Sequence, residues 1–324
     1  MTDSGPLFVS SGDLIADRRY TWALDHAARG DFPGAADILV QTVALAPAFA
    51  TAWFALGAIR DRLGDRAGAI AAFERAQDAD PEDYHGARLQ LARLQSGDTT
   101  PPMSEAYVRR LFDQYAARYD AALTGHLAYR GPALLREAVE NVVHAAGRRL
   151  RFGSMLDLGC GTGLGGAAFR SCVDWLVGVD LSPAMVAQAA TKGLYDRLVT
   201  ADLAKFLTGE VDNAARYDFI LAADVFVYVN DLAPIAITVA RVLAPDGMFA
   251  FTVETHGGDG VKLLPTLRYA HGEPYVLRVL ADAGLTAAAI SPAAVRSEKG
   301  VPVDSFVVVA LASTLPQANA TSDR

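Results

Sequence analysis

The sequence predicts an α/β protein with a doubly wound, mostly parallel sheet, preceded by an all-α domain. An apolar strand at residues 155–158 runs into a glycine-rich turn and then a helix at residues 166–172. A second apolar strand, residues 175–180, ends in the carboxylate of Asp180. A later strand, residues 217–223, is apolar without alternation, as expected for a strand buried on both faces of a parallel sheet.

The composition narrows the class of protein. The 324 residues are 52% hydrophobic and 20% charged, and this length suggests about two domains. The net charge of −8 gives no basic footprint for nucleic acid. The only cysteines are Cys160 and Cys172, so we expect neither a disulfide framework nor a metal site. We also expect no signal peptide, no membrane span and a cytoplasmic location.

A repeat is visible in the alanine-rich region at residues 16–97, which follows a predicted loose leader at residues 1–15. Pro47 and Pro81 are 34 positions apart, which is the tetratricopeptide period. The unit between them resembles the tetratricopeptide repeat at Trp53, Leu56, Gly57, Gly64, Ala69, Phe73, Ala76 and Pro81. The units on either side are less complete. The resemblance implies either a partner-binding groove or a structural, dimerising appendage, and both alternatives stay open.

The segment at residues 98–103 is polar and proline-rich, and it predicts a linker to a second domain at residues 104–312. Ser104 is placed to cap a helix over residues 105–117. A further helix is predicted from residue 132 to 147, and Arg130 precedes it. Residues 313–324 are polar and predicted to be disordered.

The glycine-rich turn allows two interpretations. Gly161-x-Gly163-x-x-Gly166 formally matches the dinucleotide fingerprint of nicotinamide cofactors. The predicted strand ends at Leu158, however, so the first glycine of the turn is Gly159. In that register the pattern is Asp157-x-Gly159-x-Gly161-x-Gly163, and it closely resembles the first motif of class I S-adenosylmethionine-dependent methyltransferases.

The resemblance implies a cofactor-binding role for several further residues. The start of the motif and its turn would hold the amino-acid end of S-adenosylmethionine, and Asp180 would hold the ribose. Leu181 and Met185 would cover the adenine. Asp202 and Leu203, at the end of a strand over residues 198–202, would meet the adenine amino group, and a helix cap is the alternative role for Asp202. The predicted cofactor residues also include Cys160, Leu164, Ala223, Asp224, Tyr115, Tyr119 and Arg130.

The remaining elements complete the expected sheet. A helix over residues 232–243 is ended by Pro245-Asp-Gly247, and a fifth strand covers residues 248–254. A further helix ends near Ala283. Two last strands, residues 286–291 and 304–312, form a hairpin that would supply the antiparallel seventh strand typical of the family.

The chemistry implied by the resemblance is methyl transfer to an oxygen or nitrogen of an acceptor, which we expect to be a small molecule. His271, Tyr269, His256 and Glu254 are the candidates for a general base, because the family geometry places their segments near the methyl group. Tyr228, Tyr269 and His271 are candidates for acceptor binding. Two alternatives are a protein methyltransferase whose repeats recruit the substrate and a non-catalytic cofactor-binding adaptor.

Overall fold

The computed structural model describes residues 8–95, 100–120, 129–298 and 300–312. The chain falls into two compact units, residues 1–114 with 262–269 and residues 115–261 with 270–324. The first unit therefore runs past the predicted linker at residues 98–103, and it includes a short segment that follows the fifth strand. The predicted disordered tail lies outside the described residues.

The first unit is helical. Its helices are α1 (Leu14–Ala28), α2 (Phe32–Leu45), α3 (Ala50–Arg62), α4 (Arg66–Ala79), α5 (Ala87–Gln95) and α6 (Glu105–Tyr115), whose last residue belongs to the second unit. Asp13, Asp31 and Asp65 cap α1, α2 and α4 by accepting hydrogen bonds from backbone N–H groups. α6 ends at Tyr115 rather than residue 117, because residues 116–118 tighten into a 3₁₀ turn.

Close packing of α3 on α4 depends on a glycine. A Cβ atom added to Gly57 would lie 2.7 Å from the ring of Phe73, which is fully buried. The described part of the predicted leader, residues 8–15, includes the start of a helix and an aromatic contact. α1 already begins at Leu14, and the ring of Phe8 lies 5.5 Å from that of Tyr20.

Among the described residues, a mixed sheet of nine strands lies mostly in the second unit. They are β1 (Phe152–Leu158), β2 (Val173–Asp180), β3 (Arg197–Thr200), β4 (Tyr217–Ala222), β5 (Leu243–Glu254), β6 (Val261–Leu263), β7 (Tyr269–His271), β8 (Leu285–Glu298) and β9 (Val301–Ala312). The order is β3-β2-β1-β4-β5-β7-β6, and β9 pairs with β5 in antiparallel fashion. The predicted doubly wound fold and its antiparallel last strand are confirmed.

Helices cover the sheet and give it two hydrophobic cores. They are α7 (Gly131–Ala145), α8 (Leu164–Phe169), α9 (Pro183–Thr191), α10 (Leu203–Asp212), α11 (Ala233–Val242) and α12 (Glu273–Asp282). Leu156 and Leu158 of β1 enter one core, and Met155, directly before Leu156, enters the other, as the alternation of a strand requires. In the described part of the chain, no helix combines the length and apolar character needed to cross a membrane.

Three predictions about the sheet were wrong in detail. Seven strands were expected, but β6 and β7 add two that are only three residues long. β5 starts at Leu243, not residue 248, and the predicted break at residues 245–247 is a bulge, since the pairing with β4 shifts register there. β8 and β9 extend well beyond the predicted residues 286–291 and 304–312.

Candidate functional site

The glycine turn, residues 159–163, lies between the end of β1 and the start of α8. Gly159, Gly161 and Gly163 all have positive φ, of 65°, 52° and 93°. A Cβ atom on Gly159 would lie 2.6 Å from the side chain of Val225, just beyond β4, so the turn needs glycine here for space as well as conformation. The turn therefore passes close to the carboxyl ends of the central strands.

A small, partly open cleft lies beside this turn. It is lined by Tyr119, Tyr129, Asp157, Gly159, Cys160, Gly161, Thr162, Leu164, Gly165 and Ala223. Seven of these ten residues carry a cofactor-binding role in the sequence prediction. The three lining residues without a predicted cofactor-binding role are Tyr129, Thr162 and Gly165. Tyr129 directly precedes Arg130, which was predicted to bind the cofactor.

Asp180 faces the turn from the end of β2. Its Oδ2 accepts a hydrogen bond of 2.8 Å from the Gly161 N–H, and its Oδ1 accepts one of 2.9 Å from the Ser182 N–H. The carboxylate is buried. It thus ties the second strand to the middle of the glycine turn, which is the position predicted for a ribose-binding acid.

Asp157, the first residue of the motif, is almost fully buried beneath the turn. Its Oδ2 accepts a 2.7 Å hydrogen bond from the hydroxyl of Tyr195. Burial raises the pKa of Asp157 to about 7, although the bond from Tyr195 works in the opposite direction. The carboxyl group therefore changes charge near neutral pH, on the floor of the cleft.

The cap segment, residues 115–120, is fastened to the turn through Asp120. Asp120 accepts a hydrogen bond from the Thr162 hydroxyl, and its other oxygen pairs with Lys192 at 2.6 Å. This fixes Tyr119, whose ring would lie 3.9 Å from a Cβ atom on Gly161. The sequence did not single out Asp120, because its partners Thr162 and Lys192 are far away along the chain and no local pattern predicts these contacts.

Tyr119 and Tyr129 bring two phenols to the cleft. Burial holds the pKa of each well above its usual value, and the nearby charge of Asp224 adds to the effect. Tyr228 also raises the pKa of Tyr119, so it too lies nearby, and its role in acceptor binding stays a prediction. These phenols stay protonated and can donate hydrogen bonds.

Arg130 and Tyr115 are among the predicted cofactor residues that do not line this cleft. The side chain of Arg130 is exposed, and its backbone N–H donates to the Val295 carbonyl. Tyr115 is half-buried at the end of α6. Their predicted contacts with a ligand stay predictions.

Behind the cleft lies a buried arginine that sequence analysis did not single out. Arg296 is 1% exposed and pairs with the carboxylates of Asp224 and Glu254, and with Glu298 at 3.4 Å. Asp224 follows β4 with a φ of 60°, and Glu254 ends β5. Arg296 thus forms ion pairs with the acids that follow two strand ends, at the edge of the sheet where the cleft lies.

Three of the four base candidates, Glu254, His256 and Tyr269, already have polar partners in the structure. Glu254 is paired with Arg296. Both ring nitrogens of His256 serve its own loop, where Nδ1 accepts from the Gly258 N–H and Nε2 lies 3.2 Å from the Gly260 carbonyl oxygen. Tyr269 belongs to the first unit, where its hydroxyl donates to the carbonyl of Pro101.

His271 is the base candidate with an available nitrogen. Its Nε2 lies 3.0 Å from the Val229 carbonyl, an arrangement that places the proton on Nε2. Nδ1 then carries a lone pair, and this buried atom has no partner among the described residues. Burial lowers the pKa of His271 to about 4, so the ring is neutral at physiological pH.

The predicted adenine-binding residues lie along the next two loops. Ser182 caps α9 by accepting from the N–H of Met185, whose side chain is buried, and Leu181 is half-buried. Asp202 caps α10 by accepting from the Lys205 N–H at 3.0 Å. The cap alternative is thus observed for one Asp202 oxygen, and the adenine contact with Leu203 stays a prediction.

Comparison with known proteins identifies both regions. Residues 156–249 match the family model described as a methyltransferase domain, and residues 50–83 match the tetratricopeptide repeat. The second match covers the repeat unit that the sequence pattern identified. No curated protein sequence matches the chain.

Solved structures share the fold at low identity. The [4+2]-cyclase SpnF is 17% identical with a TM-score of 0.52, and the match covers 68% of this chain and 99% of that one. The 1,6-didemethyltoxoflavin-N1-methyltransferase of Burkholderia thailandensis is 20% identical with a TM-score of 0.49, covering 67% and 94%. Magnesium protoporphyrin IX methyltransferase from Synechocystis PCC 6803, solved with bound SAH, is 19% identical with a TM-score of 0.49, covering 64% and 99%.

Proposed function

We propose that this chain, a methyltransferase with an N-terminal tetratricopeptide repeat, transfers a methyl group from S-adenosylmethionine to a nitrogen or oxygen of a small-molecule acceptor. The observation that carries the proposal is the glycine turn held between two buried carboxyl groups. Asp157 lies below the turn, and Asp180 accepts a hydrogen bond from its middle residue, Gly161.

The residues of the cleft fit such a donor in charge and in shape. Asp157 and Asp180 offer negative charge to a ligand that carries a sulfonium and an ammonium group. The turn is open towards the cleft, since a Cβ atom on Gly161 would meet nothing closer than the Tyr119 ring at 3.9 Å. When bound, S-adenosylmethionine supplies an already activated methyl group.

The chain's own contribution is then alignment of the acceptor and exclusion of water. Tyr119, Tyr129 and Tyr228 suit this role, because a phenol offers an apolar ring and a donor at its tip. His271 has an available Nδ1, but its low pKa makes it a weak base at neutral pH. We therefore favour an acceptor whose lone pair is available at neutral pH over one that must first lose a proton.

A protein acceptor is the second candidate, and the repeat match at residues 50–83 is the observation that favours it. Tetratricopeptide arrays present extended binding surfaces, so the first unit could deliver a substrate protein. The shared fold does not decide the reaction by itself, because one of the similar structures is described as a cyclase.

Calorimetric titration tests the cofactor first. We expect S-adenosylmethionine and S-adenosylhomocysteine to bind, and a nicotinamide dinucleotide not to bind. Tighter binding of the dinucleotide would contradict the assignment. Transfer of radioactive methyl groups to separate pools of small molecules and of proteins then distinguishes the two acceptor classes. Cofactor binding with no transfer to either pool would favour the adaptor role.

A further inference from the structure

The segment that precedes α1 is bound to the surface of the first unit through its backbone. The Val9 N–H donates to Oγ1 of Thr51 at 3.0 Å, and the Val9 carbonyl oxygen lies 2.9 Å from the same hydroxyl. Thr51, in the first turn of α3, is fully buried. The Thr51 hydroxyl thus pairs with both the backbone N–H and the backbone carbonyl of Val9.

The Thr51 hydroxyl is held in place from behind. Its Oγ1 lies 3.1 Å from Nε2 of His85, and Nδ1 of His85 lies 3.1 Å from Oδ2 of Asp80. The one hydroxyl proton is donated to the Val9 carbonyl oxygen, so the two lone pairs of Oγ1 accept from the Val9 N–H and from a proton on Nε2 of His85. His85 is also buried, so this chain of hydrogen bonds has a fixed geometry.

The neighbouring residue adds an aromatic anchor. The ring of Phe8 lies 5.5 Å from that of Tyr20 on α1 and packs edge-on against Phe49 at 6.3 Å. Its carbonyl accepts a hydrogen bond of 3.3 Å from Arg110 on α6. The surface therefore recognises an extended backbone and one aromatic side chain, two features that any partner peptide could provide.

The fit of the chain's own segment is incomplete. Phe8 and Val9 remain 46% and 39% exposed. The hydroxyl of Tyr20, a residue only 2% exposed, has no hydrogen-bond partner among the described residues. A buried unsatisfied hydroxyl is unfavourable, so a ligand that offers an acceptor at this point would bind better than residues 8–10 do.

We propose that Tyr20, Phe49, Thr51, His85 and Arg110 form a groove for an extended peptide of a partner protein, which residues 8–10 occupy as a competing internal ligand. The partner peptide presents an aromatic residue followed by a β-branched one, and a hydrogen-bond acceptor for Tyr20. The tether gives the internal segment a high effective concentration, so the partner must displace it.

Fluorescence anisotropy with a labelled peptide Leu-Phe-Val-Ser-Ser-Gly, the sequence of residues 7–12, tests this. The proteins are the full chain and a variant that lacks residues 1–9. We expect the variant to bind at least about tenfold more tightly, because the internal competitor is gone. Equal binding by both proteins, or no binding by a variant with unchanged helical circular dichroism, would overturn the proposal.

Two further variants keep the test decisive if the deletion does not fold. The full-length double variant Phe8→Ser, Val9→Gly retains the segment without its anchor, and it should bind the peptide as the deletion does. Adding Thr51→Val to either background should weaken binding by about tenfold, since the hydroxyl is lost. Thr21→Val, an exposed position on α1, is the matched control and should leave binding unchanged. If a Thr51→Val variant bound the peptide as well as its parent with Thr51, the proposed groove would not be the binding site.

Discussion

The hydroxyl of Tyr195 donates a 2.7 Å hydrogen bond to the carboxylate of Asp157. Tyr195 lies in the loop before β3, and Asp157 lies near the end of β1. Burial raises the pKa of Asp157 to about 7, against the lowering effect of this bond. The acid on the floor of the cleft is therefore balanced between its neutral and its ionised form under ordinary assay conditions.

The affinity for S-adenosylmethionine should therefore depend on pH. Below its pKa Asp157 is neutral, and above it the ionised carboxylate attracts a cationic ligand. We expect binding to strengthen by up to about tenfold between pH 6 and pH 8, measured by calorimetry. Asp157→Asn should bind more weakly and lose this dependence, which also corrects for the titration of the ligand itself. Tyr195→Phe should move the transition to higher pH.

Asp180→Ala should weaken cofactor binding by about 1–3 kcal/mol, because the carboxylate and its hold on Gly161 are both lost. Asp174→Ala is the matched control, since Asp174 lies on the same strand but pairs with Arg151 at the exposed surface. Calorimetry on both variants measures the difference. Unchanged affinity in Asp180→Ala would remove this residue from the site.

Replacement of Arg296 by Met should lower the free energy of unfolding by about 3–5 kcal/mol, because Asp224 and Glu254 would be left as uncompensated charges. Arg296→Lys should lose less of the free energy of unfolding than Arg296→Met, but still lose some, since an ammonium cannot reach several carboxylates as a guanidinium does. Arg151→Met, which breaks an exposed pair, should cost no more than about 1 kcal/mol. Urea unfolding measures all three. A small loss for Arg296→Met would mean that the acids are solvated.

His271 should make the protein sensitive to acid. Its folded pKa is about 4, below the ordinary value of 6.5, so only the unfolded chain takes up the proton between these values. The free energy of unfolding should fall by about 2 kcal/mol from pH 6.5 to pH 5 on this account. His271→Gln should reduce the slope, whereas the exposed His144→Gln should leave it unchanged. Equal slopes in thermal unfolding would place His271 in contact with water.

A chain that begins at Met103 should still bind S-adenosylmethionine, because every residue that lines the cleft follows this position. It should be less soluble, since segment 262–269 loses the unit it packs with and Tyr269 loses the Pro101 carbonyl. Calorimetry and light scattering measure the two effects. Failure of the folded fragment to bind would mean that the first unit completes the site.

Prediction from sequence succeeded where the signal is local. The order of strand, glycine turn and helix was predicted correctly, although the strand begins at Phe152 rather than residue 155 and the helix covers Leu164–Phe169 rather than residues 166–172. Asp180 could be predicted in the same way, because it is the acid that ends the next apolar strand. β6 and β7 were missed because three residues are too few to show a period.

The buried arginine could not be found in this way. The pairing of β8 with β9 shifts register between Ala294 and Ser297, and this bulge turns both Val295 and Arg296 inward. A charged residue in an alternating strand would otherwise point to solvent. Its partners, Asp224 and Glu254, are brought to it by the fold and lie far away in sequence.

The bonds from Asp120 to Thr162 and Lys192 bear on how long a bound molecule stays. Tyr119 lines the cleft from a segment that these two bonds secure, so escape past this residue requires both to break. The ion pair is partly exposed and therefore screened by salt. We therefore expect the contacts of Asp120 to lengthen the residence time of a bound molecule, and we expect that time to shorten as ionic strength rises.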